Sequence, residues 1–411
     1  MTPTPDRNTP GHPKQNVRLG ELALVFLKLG TIAFGGPAAH IAMMEQEFVG
    51  RRNWLTREEF LDRLGAANLI PGPSSTEMAI HIGFLKCGWP GLIVAGCCFI
   101  VPAAIMVTLI AATYVAYGNL PRVSGILYGL KPVVIAVIVQ AFWKLAQSAV
   151  KNPFLALIAV LAAVASALAV SNLVVILAAG ALAMTPAFRR KIRARHALFL
   201  AWIFPFQSAA SLAAFFAGLP TAGLTTAGLP AAAPASTVPV SLWRLFLTFA
   251  KIGSVLFGSG YVLLAFLRAD FIVHLGWLSE KQLLDAVAVG QITPGPVFTT
   301  ATFIGYLVAG VKGAIVATVA IFLPGFFLVA ASGPIIAKVR RSVTASAFLD
   351  GVIVGSLALM GVVAWQLGRQ SLLDVFTAVI FLSSLALLVR TRANPLWIMT
   401  AAAVAGLWHG A

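Results

Sequence analysis

The stretch Asn68-Leu69-Ile70-Pro71-Gly72-Pro73-Ser74-Ser75-Thr76-Glu77 lies between apolar segments long enough to enter a bilayer. A near-copy, Gln291-Ile292-Thr293-Pro294-Gly295-Pro296-Val297-Phe298-Thr299-Thr300, recurs far downstream. Two prolines around a glycine cannot continue an α-helix, because proline lacks an N–H and clashes with the preceding turn while glycine frees the backbone. Such a break strands polar backbone groups, so in a membrane it is tolerated only where protein or a water-filled cavity surrounds it. A broken helix at corresponding places in two halves of one chain points to a transporter's binding site.

Composition sets the surroundings of that pair. The 411 residues are 59% hydrophobic and 10% charged, against roughly 25% charged in soluble domains. The net charge of +16 comes from 29 Lys and Arg against 13 Asp and Glu. With no basic stripe interleaved with aromatics it indicates positive cytoplasmic loops rather than nucleic acid. The three cysteines, Cys87, Cys97 and Cys98, form neither a disulfide framework nor a metal-ligand pattern. There is no Walker A motif, HExxH or GxGxxG, which excludes an encoded ATP-driven mechanism and leaves an ion gradient as the energy source. No cofactor or metal is expected.

Apolar runs near 20–43, 64–85, 88–117, 125–150, 152–170, 172–187 and 197–218 are followed by others near 242–266, 287–307, 310–335, 346–368, 371–389 and 394–409. They predict an all-α polytopic membrane protein of about 12–13 transmembrane helices. The halves are an internal repeat. Adding 223 carries Lys28, Gly30, Phe34, Gly35, Trp54, Asp62 and Pro71-Gly72-Pro73 onto Lys251, Gly253, Phe257, Gly258, Trp277, Asp285 and Pro294-Gly295-Pro296. After one lost residue, adding 222 carries Gly83, Gly88, Gly91, Pro102 and Asn172 onto Gly305, Gly310, Gly313, Pro324 and Asn394. The expected organisation is a disordered cytoplasmic tail (1–18), a first repeat (19–188), a basic loop, bridging helix and Ala/Gly/Pro linker (189–240), and a second repeat (241–411).

Six spans plus the bridging run would bring the second repeat in from the opposite side, an inverted repeat. If the 64–85 and 287–307 runs only dip into the bilayer, the same count puts both repeats on one side. A cytoplasmic N-terminus places most basic residues inside, with Arg51, Arg52, Arg57 and Arg63 as the exception.

Lys28 lies ten residues after Arg18, about 15 Å into a helix. A lysine at that depth is expensive, and its mate Lys251 makes the pair candidates for attracting an anion; snorkelling is the alternative. The segments containing Gly35, Gly36 and Gly258 read either as close packing or as unwound backbone offering N–H groups. Ser74, Ser75, Thr76, Thr299 and Thr300 follow the prolines in the resumed helix, as caps or as donors to a ligand. Glu77 has Thr300 as its counterpart. Its carboxyl reads as a carrier of a coupling proton or as a helix-start charge. His40 and His81 have no counterparts and read as structural. Thr56 with Glu59, and Ser279 with Gln282, read as capping boxes opening interfacial helices, with Trp54 and Trp277 at the headgroup level.

Phe34-Gly35-Gly36-Pro37, Trp54-Leu55-Thr56 and Pro71-Gly72-Pro73 resemble the chromate ion transporter family. So do Phe257-Gly258-Ser259-Gly260, Trp277-Leu278-Ser279 and Pro294-Gly295-Pro296. The resemblance spans both halves, as in the long-chain type with two fused domains. It implies a multi-pass protein of the bacterial inner membrane that exports chromate, driven by the proton gradient or the membrane potential. Sulfate is the structural analogue and potential competitor, and a homodimer is a candidate assembly. The alternatives are a transporter of sulfate or an organic acid, an anion channel, and a membrane enzyme on a lipid-linked substrate.

Overall fold

A helix of 14 residues rises about 21 Å, short of a ~30 Å hydrocarbon core. In the computed structural model, which describes residues 17–34, 36–118, 120–168, 170–195, 239–257, 260–391 and 394–409, the first helix, α1 (Leu19–Ile32), has that length. The chain then turns into α2 (Gly36–Glu45) and a π-helical segment, Gln46–Arg51, that run back along α1. Phe26 packs on Phe48 with ring centroids 5.2 Å apart, and Arg52 pairs with Glu21 near the start of α1. The 20–43 run, read as a span, instead covers α1 and most of α2, the two sides of a hairpin with its apex inside the protein.

A second hairpin follows. The capping box of Thr56 and Glu59 opens α3 (Arg57–Ala67). After the Pro71-Gly72-Pro73 tip, α4 (Ser74–Tyr117) starts back. The helix folds sharply at Cys87 and Gly88, where Gly88 has φ +61°. A Cβ on Gly83 would lie 2.3 Å from the Gly91 carbonyl oxygen, although eight residues of straight helix span about 12 Å. Leg 74–86 thus returns to the face that α3 left: Lys86 donates to the Trp54 carbonyl, and Cys87 Sγ to the Val17 carbonyl at 3.2 Å. Only the leg from 89 onward crosses. It leads to α5 (Pro121–Ala149), α6 (Pro153–Ala167) and α7 (Asn172–Arg195).

The second repeat is built the same way. Its elements are α8 (Leu242–Val255), α9 (Leu263–Leu267) with the π-helical segment Arg268–His274, α10 (Glu280–Ile292), α11 (Thr300–Arg341), α12 (Val343–Ser371), α13 (Val375–Arg390) and α14 (Pro395–His409). Phe249 packs on Phe271 at 4.7 Å, Ser279 and Gln282 form the capping box, and Gly310 repeats the sharp fold with φ +60°. Each repeat's closing helices pack on the other repeat: α13 and α14 against α5, and α6 and α7 against α12.

Inversion follows from which residues meet. Along the crossing leg of α4, Gly96 approaches Phe326 and Ala103 approaches the Gly295 tip. Tyr114, at the far end of that leg, bonds Asp285 on α10. The second repeat's hairpins therefore enter from the face opposite the first repeat's. The expected inversion holds, but the span count behind it does not. The 64–85 and 287–307 runs fold back, and so do the runs before them, because apolar residues line hairpin legs as readily as spans. Arg51, Arg52 and Arg57 consequently share a face with Arg18 and Lys86 and are no exception to the charge bias. Trp54 packs inside the protein: it is 6% exposed and stacks on Phe48 at 5.3 Å. The predicted bridging run 197–218, the linker after it and the tail before residue 17 lie outside the described residues.

In a variant lacking Cys87, Cys97 and Cys98, single cysteines at Arg18 and Arg57 are expected to react with an impermeant maleimide from one face. Those at Arg244 and Lys281 should react from the other. Reaction of Arg18 and Arg57 from opposite faces would remove the hairpin, and reaction of Arg57 and Lys281 from the same face would remove the inversion.

Candidate functional site

The last carbonyls of a helix have no partner within it, and α1 and α8 both end inside the protein, at Ala33 and Leu256. The Gly72 N–H donates to the Leu256 carbonyl at 2.7 Å, and the Gly295 N–H to the Ala33 carbonyl at 2.9 Å. Each Pro-Gly-Pro tip therefore caps the broken first helix of the other repeat. Gly72 has φ +138° and Gly295 φ +91°, a region that side chains disfavour. A Cβ would also stand 2.3 Å from Glu77 Oε1 at the first site and 2.6 Å from Ala103 Cβ at the second. These two glycine N–H groups are thus committed to backbone carbonyls rather than free. His40 reinforces the junction. Its Nε2 lies 3.0 Å from the Ala33 oxygen, which can only accept. The neutral ring's Nδ1 then accepts from the Ser75 hydroxyl at 3.3 Å.

The start of α4 is where polar groups remain unpaired. Pro73 supplies no side-chain cap. The Thr76 and Glu77 N–H groups turn back to the Pro73 carbonyl, while those of Ser74 and Ser75 have no acceptor among the described residues. Thr76 Oγ1 and both Glu77 carboxyl oxygens are buried without a hydrogen-bond partner; Glu77 is 0% exposed. Its carboxyl curls back beside Gly72, and Gly325 of α11 approaches its stem. In the second repeat the matching hydroxyls are satisfied locally: Thr299 donates to the Pro296 carbonyl and Thr300 to that of Val297, both at 2.8 Å. Pro71, Pro294 and Pro296 shape the two tips. A helix N-terminus with free N–H groups and a hydroxyl favours an anion, and here a carboxyl of the protein already sits beside it.

The paired lysines stand elsewhere. Lys251 bonds Asp270 at 2.6 Å, with its side chain 47% exposed, on a cavity of about 420 Å³ that Asn172, Thr248 and His274 also line. Lys28 is exposed, on the face of α1 opposite its buried residues. Its charge bears on Glu47, which Arg51 and Arg52 hold at 3.2 and 2.8 Å. Glu47 and Asp270 are themselves repeat mates, visible at the same shift of 223, a match the sequence reading did not draw. Gly36 has φ +76° and faces the Tyr261 hydroxyl; Gly35 and Gly258 lie outside the described residues.

The sequence reading missed one buried ion pair. Lys131 Nζ of α5 lies 3.1 Å from Asp285 Oδ1 of α10, and the Tyr114 hydroxyl donates to Oδ2 at 2.9 Å. Asp285 is 0% exposed, whereas its mate Asp62 is on the surface. Lys131 corresponds to Ile353, so a search by repeat symmetry passes over it. Its position deep in an apolar run was the available signal.

The sequence profile described as chromate transporter matches the chain twice, over residues 20–184 and 243–407. A probable chromate transport protein of Synechococcus elongatus is 33% identical over 96% of both chains. A chromate transport protein of Cupriavidus metallidurans is 32% identical over 98% of this chain and 96% of its own. One from Pseudomonas aeruginosa is 29% identical over 93% and 90%. No solved structure matches.

Breaking a buried ion pair from one side leaves an uncompensated charge, a loss of about 3–5 kcal/mol. Lys131→Met is expected to lower the unfolding midpoint in detergent clearly, and Lys131→Met with Asp285→Asn to recover most of that loss. A single variant as stable as the parent would show that the pair carries no stability.

Proposed function

The chain belongs to the chromate transporter family, and from that premise we propose that it is a secondary transporter exporting chromate across a bacterial inner membrane. The observation that carries this reading is the start of α4, where the Ser74 and Ser75 N–H groups and the Thr76 hydroxyl lack partners beside a buried carboxyl. Chromate, like sulfate, is a tetrahedral dianion that accepts hydrogen bonds on every side. Charge-assisted bonds to such donors contribute about 1.5–3 kcal/mol each. The two repeats (19–188 and 241–411) supply hairpins from opposite faces whose tips close on one another, so loosening either cross-repeat contact opens the site to one side. The face bearing Arg18, Arg51, Arg52, Arg57 and Lys86 is cytoplasmic by the charge bias.

Glu77 sets the ion coupling. An ionised carboxylate 4 Å from a dianion is opposed by about 8 kcal/mol at an effective dielectric of ~20. That offsets most or all of the roughly 4.5–9 kcal/mol that the three donors return, so the dianion binds the tip appreciably only when Glu77 carries a proton. Proton and dianion then move together, and one net negative charge crosses per turnover. An inside-negative potential drives it outward with about 2.3 kcal/mol per 100 mV.

The test is charge counting on solid-supported membranes alongside radiochromate flux in proteoliposomes, with sulfate as competitor. The parent should move about one charge per chromate and respond to an imposed pH gradient. Glu77→Gln keeps the shape but cannot titrate. It is expected to move about two charges per chromate and to ignore the pH gradient. An unchanged ratio in Glu77→Gln would contradict the coupling.

A further inference from the structure

The hairpin of α3 and leg 74–86 contains more unpaired polar atoms than its fold requires. Besides Thr76 Oγ1 and the Glu77 carboxyl, His81 Nε2 and Arg63 Nε are buried without a hydrogen-bond partner. His81 is 5% exposed. Each unmade buried hydrogen bond costs about 1–3 kcal/mol, and native proteins leave few such groups. Four side chains of this kind within one hairpin call for an occupant that comes and goes.

Their order along the hairpin is informative. At its mouth Lys86 meets the Trp54 carbonyl, and Glu59 lies close enough for its charge to act on Lys86. Deeper, Arg63 on α3 stands close enough for its charge to act on the His81 ring. One helical turn further in lies Glu77, four residues before His81 and on the same side of the helix, with Cβ atoms about 6 Å apart. A gap of that order is one that a single bridging water can span. The other titratable group facing this region is His40 on α2, tied to Ala33 and Ser75. The neighbouring α1 contributes the apolar Leu22, Phe26 and Leu29, and α11 contributes Gly325.

The second repeat is an internal control. It builds the same hairpin, with the same capping box, tip and sharp glycine fold. Yet Ala286 stands for Arg63, and Phe303 for His81. The fold is therefore reached without Arg63 and His81, although α10 also leaves Glu280 Oε2 and Gln291 Nε2 buried without a partner; what the first repeat adds is an arginine and a histidine in line with a buried carboxyl.

We propose that Arg63 and His81 form the proton path from the face bearing Lys86 to Glu77, with His81 delivering the proton. This rests on the reading of Glu77 as the proton-carrying group. In the step, the His81 Nε2–H bond breaks and a bridging water passes a proton to the Glu77 carboxylate, forming O–H, while Nδ1 takes a proton relayed by water from the aqueous phase at the Lys86 mouth. The ring thus hands the proton on without resting as a cation beside Arg63, and a tautomer shift resets it. Nothing is oxidised or reduced, and the proton comes from the aqueous phase. Arg63 is a positioning residue: it holds water at the level of His81.

His81→Gln, and His81→Ala with and without millimolar imidazole, test the path in proteoliposomes by two measurements. One is radiochromate flux driven by a pH gradient; the other is chromate–chromate exchange at equal pH, in which Glu77 stays protonated. In both variants, gradient-driven flux is expected to fall ~10-fold or more with exchange near the parental rate. Imidazole should restore the flux of His81→Ala. Parental gradient-driven flux in either variant would overturn the path. So would joint loss of flux and exchange without imidazole rescue, because that is the signature of a merely structural histidine. Failure of the Glu77 reading is seen separately, as an unchanged charge-to-chromate ratio in Glu77→Gln with His81 intact.

Discussion

Two backbone hydrogen bonds hold the centre of this protein: Gly72 to Leu256 and Gly295 to Ala33. Each joins a Pro-Gly-Pro tip of one repeat to the broken first helix of the other. A helix that ends inside a bilayer must find partners for its last carbonyls, and a chain broken by two prolines must place its remaining N–H groups. Reciprocal capping meets both demands at once, and only when the repeats are opposed. The half-length hairpins, the inversion and the packing of each repeat's closing helices on the other repeat all bring four tips to one level.

This arrangement is symmetric in its backbone and asymmetric in its chemistry. The second repeat satisfies its tip hydroxyls locally and fixes its hairpin with the buried Lys131–Asp285 pair and Tyr114. The first repeat leaves polar atoms of Thr76, Glu77, His81 and Arg63 unpaired in one hairpin, whereas the unpaired atoms of Arg268, Asp270, Glu280 and Asp285 belong to side chains already in ion pairs. On the proposed reading, one half serves as the anchored frame and the other handles ions. A shared fold with divided roles is what a duplicated unit allows once one copy alone suffices for structure.

Much of this was legible in the sequence because proline and glycine have few conformational options. The Pro-Gly-Pro tips, the register of the repeat and both capping boxes could be read directly. The fold-back was not, because hydropathy alone cannot separate a span from two hairpin legs, and Gly88 and Gly310 look like any glycine in an apolar run. Repeat symmetry raised Lys28 and Lys251, whose carboxylate neighbours Glu47 and Asp270 repeat as well. It passed over Lys131 and His81, which have no polar mates.

The central claim is that the oxyanion sits at the start of α4, between the opposed tips. The most direct measurement is an electron cryo-microscopy map of the protein in nanodiscs with saturating chromate. The account predicts density for one tetrahedral anion in contact with the Ser74 and Ser75 N–H groups and the Thr76 hydroxyl, with the Glu77 side chain displaced from Gly72. An anion found instead beside Lys28 or Lys251, with the tips unchanged, would contradict it.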